Sequence, residues 1–542
     1  MAKALLVTGG KLHHFAECGR ILADAIEADG RFEVTLTQTL GVLTDKRLSA
    51  YDLVVLYAQH DKLSPKREDA LTGFVRRGGG FVGIHCATAG FQNNQKYVSM
   101  IGARFAAHGP LGEFGVSVAD DSHYITKRLS EFHIEDELYL LDRKPKGASV
   151  LLTAHWRGDE APVLYTKTYG KGRVVYFALG HDERAFNDPV FRQVVLRSMR
   201  WVTGAREGRK RKFGIIGYGA AFNMGRAHAD LISKADGLSV SAVCDSDPAR
   251  VKQAQADWKG IAGYTSLTKM LEGGKVDAAI IVTPHNTHYD LAMQCMKAGV
   301  GVVCEKPFCI TAAEAQSMVE TARENDVLLT VFHNRRLDGD YLTIRRLVDT
   351  GVIGDVFHVE AFMGHFGFPG TWWRANKAVS GGAFYDWGAH FIDWILGIMR
   401  GRSIENVTGF FHNRVWAGVT NEDQTTGIIR FTDGSTAEMQ LSFIAHSRKA
   451  RWRILGTKGA IVDWGQGALE VSAPVSGLRA DAKVPYLPGR AEMYYRNLAD
   501  HMLQGEPILV SSVEAGRVIA VIETAEKSSA AAQALPVPEM FA

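Results

Sequence analysis

Asp386, His390 and Asp393 fall in the run GGAFYDWGAHFIDWILG (residues 381–397) at i, i+4 and i+7, a spacing that would set all three on one face of a helix. A purely amphipathic helix would carry apolar residues there. Burying a carboxylate and an imidazole side by side is costly unless they are paired or used. A carboxylate beside a histidine holds the ring's orientation and raises its basicity, as a general base requires. A second reactive group is Lys306, in the tripeptide Glu305-Lys306-Pro307 that follows the apolar run GVVC. Upstream, Thr283, Pro284 and His288 follow another apolar run. In a doubly wound sheet, ligands sit beyond the carboxyl ends of the strands, so these positions face a crevice. Trp372, Trp373 and Arg374 precede the helical run; such a group serves equally as sugar contact or as packing.

The segment FGIIGYGAAFNMGRAHAD (213–230) has the context of a dinucleotide fingerprint, an apolar strand ending in Gly217 and Gly219 before a helical stretch. A side chain at Gly219 would collide with a pyrophosphate, and the next helix would present its free N–H groups to that anion. The third glycine of the motif is replaced by Phe222, and Gly225 is placed to supply close packing one turn later. The following strand, SVSAVCD, ends in Asp245, whose carboxylate can accept both ribose hydroxyls. Asp245 and Asp247 would repel a 2′-phosphate, which favours NAD over NADP, although Arg250 lies close by.

The elements that must position these groups recur in two βα series. The first runs from ALLVTGG (4–10) through a helix at 15–28, VVL (54–56), a helix at 65–77 and GGGFVGIH (78–85) to RVVYFALGHD (173–182) and a helix reaching Gly204. This rhythm predicts a parallel sheet covered on both faces. The second series places strands near 213–217, 238–244, 276–282, 301–304 and 328–332. Beyond His333 the pattern becomes one of hairpins, with Asp433-Gly434 as a turn in 425–445 and a further strand in 352–364, predicting a mostly antiparallel α+β domain. With 542 residues, several cores are expected. The divisions are 1–204, a basic linker at 205–211, a nucleotide-binding domain at 212–333 and a substrate domain at 334–542.

Composition narrows the class. Apolar residues make up 46% and charged residues 22%, and 62 Lys+Arg against 59 Asp+Glu leave +3, with no basic stripe for nucleic acid. No window approaches a membrane span, and MAKALLVTGG resembles a first strand rather than a leader. Six cysteines lie scattered without C-x-x-C spacing, several inside apolar runs, which points to buried thiols in a reducing compartment. The cytoplasm is the expected location.

G-Y-G (217–219), C-D-S-D-P (244–248), T-P-H-N-T-H (283–288), E-K-P (305–307), G-V-I-G (351–354), G-G-A-F-Y-D-W-G-A-H-F-I-D (381–393) and E-D-Q (422–424) appear in the order typical of Gfo/Idh/MocA oxidoreductases, which residues 212–531 resemble. The departures are Phe222 and Ala383. The resemblance implies a Rossmann domain followed by a large antiparallel sheet, and oxidation of a sugar or polyol by hydride transfer to NAD. It implies Lys306, Asp386 and His390 as catalytic residues, with His390 the base, Asp386 its orienter or a hydroxyl ligand, and Lys306 the cation facing the developing alkoxide. Gly217, Gly219, Phe222, Asp245, Arg250, Thr283, Pro284, His288, Glu305 and Lys306 would hold the cofactor. Trp373, Arg374, Asp386 and His390 would hold the substrate.

Residues 1–204 resemble the ThuA-like domain, associated with trehalose utilisation, on a fold like the class I glutamine amidotransferases and thus flavodoxin-like. The matching pieces are V-T-G-G (7–10) with His13-His14, G-G-G-F-V-G-I-H (78–85), D-E-L-Y (136–139), G-K-G-R-V (170–174) and L-G-H-D (179–182). His85 stands where an amidotransferase has its nucleophilic cysteine, and Cys86 comes one position late, which argues against glutamine hydrolysis. His13, His14, His85, His108, His123 and His181 lie in the family-like stretches, and histidines at the ends of several strands could gather into a metal or acid–base site; without H-x-x-x-H spacing, no metal is expected. The expected partners are a sugar or polyol and further copies of the chain, with neither nucleic acid nor membrane. Two other functions stay open: a redox-neutral NAD-dependent glycosidase and a non-catalytic sugar sensor that retains NAD.

Overall fold

The computed structural model describes residues 1–542 except 128, 130, 205–209, 220, 221 and 505, and the side chain of 504. The chain divides into two compact units, Met1–Arg206 and Glu207–Ala542. Most of the expected linker therefore lies outside the described residues. Its last residue, Arg211, already begins a strand, and the Lys212 N–H donates to Asp277 at 2.7 Å.

The first unit is built on a nine-stranded sheet. Five parallel strands lie in the order Phe32–Thr37, Ala2–Gly9, Leu53–Ala58, Gly80–Ile84 and Gly172–Phe177. Their runs of Val, Leu and Ile are buried throughout the three inner strands, as strands covered on both faces must be. This is the flavodoxin-like order expected from the first βα series. The sheet then continues antiparallel through Asp159–Tyr169, Ala148–Trp156, Gly112–Val118 and Phe132–Asp136. That half corrects the expectation of a wholly parallel sheet. Two of its strands alternate buried and exposed positions, so no continuous apolar run marked them.

The second unit opens on a six-stranded parallel sheet in the order Ala262–Tyr264, Leu238–Cys244, Arg211–Ile216, Ala278–Ile281, Gly301–Cys304 and Leu329–Val331, the Rossmann arrangement. An eight-stranded sheet follows, antiparallel except where Val356–Gly364 pairs parallel with Thr436–Ser442. The expected turn is present: Gly434 has φ +84°, and Asp433 accepts the Ser435 N–H at 3.0 Å. The final long helix, Ser512–Ala531, packs so closely on this sheet that a Cβ at Gly409 would stand 1.8 Å from the Ala525 carbonyl oxygen. The helix Met493–Gln504 returns to the nucleotide-binding sheet, where the Tyr494 hydroxyl donates to Val331 O at 2.9 Å.

The i+7 member of the helical triad serves this architecture. Asp393 is buried and receives both arms of Arg336, at 2.8 and 2.6 Å, which joins the helix Trp387–Ile398 to the turn after the last Rossmann strand. Burial pushes the Asp393 carboxyl up, but the Arg336 charge holds it below its ordinary range. Arg336→Ala leaves that carboxylate buried without its main cation, so denaturant unfolding is expected to show a loss of about 3 kcal/mol. An unchanged unfolding midpoint would show that Asp393 finds another partner.

Candidate active site

A cleft of about 550 Å³ opens beyond the carboxyl ends of the Rossmann strands. One wall holds Gly219, Thr283, Pro284, Glu305 and Lys306; the other holds Trp373, Arg374, Asp386 and His390. Of the residues expected to be catalytic, all three line it.

Two glycines shape the nucleotide end differently. Gly217 has φ +94°, and a Cβ there would sit 2.3 Å from the Val282 carbonyl oxygen, so only glycine fits. A Cβ at Gly219 would meet no atom within 4 Å and would point into open space. Gly225 supplies the close packing expected of it, since a Cβ would lie 2.7 Å from Gly217 O. Residues 220 and 221 of the fingerprint lie outside the described residues. Phe222 is exposed and does not dock the helix; its ring stands 5.2 Å from that of Trp372 and 4.7 Å from the Arg374 guanidinium. Asp245 is oriented at the strand end by the N–H groups of Tyr218 (2.7 Å) and Asp247 (2.9 Å). Arg250 does not line the cleft; its Nε lies 4.0 Å from Asp247.

Lys306 reaches across to Asp386, its Nζ 2.5 Å from Oδ1. Arg374 adds a second cation at 3.2 Å while its guanidinium lies against three aromatic rings, those of Phe222, Trp372 and Trp373. Burial pushes the Asp386 carboxyl up, but Lys306 and then Arg374 hold it at about 2, so it is ionised at neutral pH.

The expectation that Asp386 shares a helix face with His390 and orients its ring is corrected here. The helix begins at Trp387, and Asp386 precedes it at φ −84°, ψ −90°, off the helical path. Its carboxylate neither caps the helix nor bonds His390, because Lys306 and Arg374 take it. His390 is buried, with Nδ1 lacking a hydrogen-bond partner. Burial first, then the charges of Lys306, His333, Arg335 and Arg374, hold the ring well below the ordinary imidazole value. A buried, unprotonated imidazole and Lys306 thus line the same cleft.

Two expected cofactor contacts act as braces instead. His288 is fully buried, with Nδ1 2.8 Å from Pro307 O and Nε2 3.0 Å from Thr283 O, so neither nitrogen is free for a ligand. Glu305 lines the cleft, yet its oxygens accept from His228 Nε2 at 3.0 Å and from the Lys306 N–H at 3.0 Å. Burial pushes its carboxyl up, but the His228 bond brings it below its ordinary value. The Tyr495 hydroxyl, 2.5 Å from His228 Nδ1, extends this chain behind Lys306.

Sequence reasoning missed His285, Asn334, Arg335 and Trp387, all of which line the cleft. His285 holds Ser380 O at 2.8 Å through Nδ1, and its Nε2 is buried without a partner. Burial and then neighbouring His288 lower its ring to about 3. A signal was available for three of them, since His285 follows a Rossmann strand two residues after Thr283, and Asn334 and Arg335 follow the last one, where the crevice rule applies.

Comparisons with known proteins agree with this geometry. Residues 3–202 match the ThuA family (trehalose utilisation), 211–333 match the oxidoreductase family with an NAD-binding Rossmann fold, and 341–462 match the GFO/IDH/MocA C-terminal domain. The scyllo-inositol 2-dehydrogenase (NADP(+)) of Bacillus subtilis is 28% identical over 340 residues, 59% of this chain and 93% of that one. The D-glucoside 3-dehydrogenase of Escherichia coli is 27% identical over 253 residues, 43% of this chain and 71% of the other. Among solved structures, an NAD-binding protein from Listeria innocua superimposes with a TM-score of 0.55 at 27% identity, covering 61% of this chain and 100% of its own. The chain is an oxidoreductase of the Gfo/Idh/MocA family, with that family's NAD-binding and C-terminal domains preceded by a ThuA domain.

Proposed function

We propose that the cleft oxidises a secondary ring hydroxyl of a sugar, polyol or glycoside, with NAD as hydride acceptor. One observation carries the reading: an imidazole kept unprotonated by burial stands beside a lysine ammonium in the cleft that Gly219 enters. The residues fit a dinucleotide. Gly219 leaves open space where a pyrophosphate would lie, and Asp245 ends the neighbouring strand, its carboxylate holding the Tyr218 N–H of the glycine turn, as an acceptor for a ribose would be placed. Bound NAD supplies the hydride acceptor.

His390 takes the hydroxyl proton; burial keeps the ring unprotonated and so able to accept it at neutral pH, while weakening its pull on that proton. Lys306 faces the oxygen that gains negative charge, while Asp386, itself held by Arg374, fixes the lysine in place. Trp373 and Trp387 wall the cleft with apolar faces suited to a sugar ring. Both named relatives are dehydrogenases, one of an inositol and the other of a glucoside, which supports a ring alcohol as substrate. A panel of cyclic polyols, sugars and aryl glycosides, followed for both NADH and released aglycone, tests the proposal. NADH equal to product is expected; aglycone release without net NADH would instead make the protein a redox-neutral glycosidase.

We assign NAD as the preferred cofactor. Asp245 and Asp247 at the end of the second Rossmann strand support this, since both would repel a 2′-phosphate bound there, and Arg250 lies 4.0 Å from the Asp247 carboxylate. Asp245→Ala is expected to weaken NAD about ten-fold, the worth of one charge-assisted hydrogen bond, and to narrow discrimination against NADP. Wild-type protein that turns over faster with NADP would overturn this assignment, and one relative is named for NADP(+).

A further inference from the structure

Three parallel strands of the first unit deliver a histidine each to one point. His13 follows Ala2–Gly9, His85 directly follows Gly80–Ile84, and His181 follows Gly172–Phe177. Each offers a ring nitrogen, and these atoms lie within 4.8 Å of one another. Of the six histidines in the family-like stretches, the other three lie outside this group, although His108 Nδ1 stands 3.5 Å from Glu137, the carboxylate beside His181. His14 pairs with Glu183 at 2.5 Å, His108 holds Gly109 O at 2.7 Å, and His123 packs on Trp201.

We propose that His13, His85 and His181 bind one divalent transition-metal ion of the zinc class, leaving a coordination position open. Two nitrogens are otherwise unused, His85 Nε2 and His13 Nδ1 being buried without a hydrogen-bond partner, and the third ring, His181, meets only the Glu137 carboxylate through Nδ1. His85 is itself fully buried, and its Nδ1 lies 2.7 Å from Ala178 O, which directs the Nδ1–H there and leaves the lone pair on Nε2. That is how a metal-binding histidine is oriented.

The backbone around the cluster is held with equal care. His85 occupies the sharp elbow after its strand at φ +44°, a conformation rare for a residue with a side chain, and the Tyr176 hydroxyl donates to its carbonyl at 2.9 Å. The buried Asp136 accepts the N–H groups of Gly180 (2.7 Å) and His181 (3.0 Å), so the motifs D-E-L-Y and L-G-H-D meet to place His181. Glu137 Oε2 stands 3.0 Å from His181 Nδ1, an available orienting carboxylate or fourth ligand. Three imidazoles with an open position suit zinc or a similar ion, around which ligand nitrogens stand about 3.3 Å apart. His13 also lines a cleft of about 660 Å³ with Gly10, Gln38 and His60, which gives a small molecule a route to such an ion.

The test uses the full-length protein, stripped with a chelator and titrated with Co²⁺, whose visible absorption reports tetrahedral imidazole coordination. One equivalent should saturate the band, and Zn²⁺ should abolish it by displacement. His13→Ala and His181→Ala should each weaken binding by more than the ~10–100-fold typical of losing an outer-shell partner, whereas His14→Ala should leave it unchanged. Stripped wild-type protein that takes up no cobalt overturns the proposal, as does full binding by a folded His13→Ala/His181→Ala double variant. Because the wild-type titration alone can refute the site, misfolding of a variant does not shield it.

Discussion

In His390→Ala the maximal rate of ring-alcohol oxidation should fall ~10²–10⁴-fold, the usual cost of losing a general base, while NAD affinity stays near wild type. The reason is geometric: His390 lines the cleft from the helix Trp387–Ile398, whereas the proposed nucleotide contacts, the glycine turn and Asp245, belong to the ends of the first two Rossmann strands. The pH profile gives the sign. A histidine base works only when unprotonated, so activity is lost as pH falls through its ionisation. Burial first, then Lys306, His333, Arg335 and Arg374 around the ring, hold that ionisation well below the ordinary value of about 6.5. Wild type should therefore be insensitive to this group from neutral pH upward and lose rate only on the acid side, and His390→Ala should lack that acid limb. Lys306→Arg should keep part of the activity that Lys306→Ala loses, since charge is its proposed contribution. Near-normal turnover in His390→Ala with a dead Lys306→Ala would make the lysine the base.

Gly219→Val is expected to remove cofactor binding from a folded protein. Its Cβ meets no atom within 4 Å among the described residues, and the glycine needs no left-handed backbone, so the branched side chain costs the fold little. It projects instead into the cleft where the pyrophosphate belongs. Gly217→Val is the contrasting variant. At φ +94° and 2.3 Å from Val282 O, the new side chain should disturb folding itself. Equilibrium dialysis of NAD with each variant, alongside thermal unfolding, separates the two effects. Wild-type affinity in folded Gly219→Val would remove the nucleotide from this end of the cleft.

The parallel strands were legible because they are short, nearly unbroken apolar runs that end in glycine or polar residues; the runs at 238–244 and 301–304 have the same limits in sequence and structure. The half-exposed antiparallel strands Gly112–Val118 and Phe132–Asp136 carry no such mark. Lys306, Asp386 and His390 meet in the cleft as motif order implied, but their contacts were misread. Helical spacing placed Asp386 with His390, and a single non-helical residue was enough to give its carboxylate to Lys306. The histidine cluster of the first unit was hidden for a different reason. Its members are far apart in the chain, and only the parallel strand order brings them together, so a search for local ligand spacing passes over them.

The central claim is that this cleft moves a hydride from a ring carbon of the substrate to NAD. The most direct test carries deuterium on the carbinol carbon of whichever cyclic polyol or glycoside turns over, with the reduced cofactor then analysed by mass and NMR. The account predicts one deuterium at nicotinamide C4 for each molecule of ketone formed, with no loss to solvent. Turnover that leaves NAD unreduced and the deuterium on the product, or in water, would contradict it.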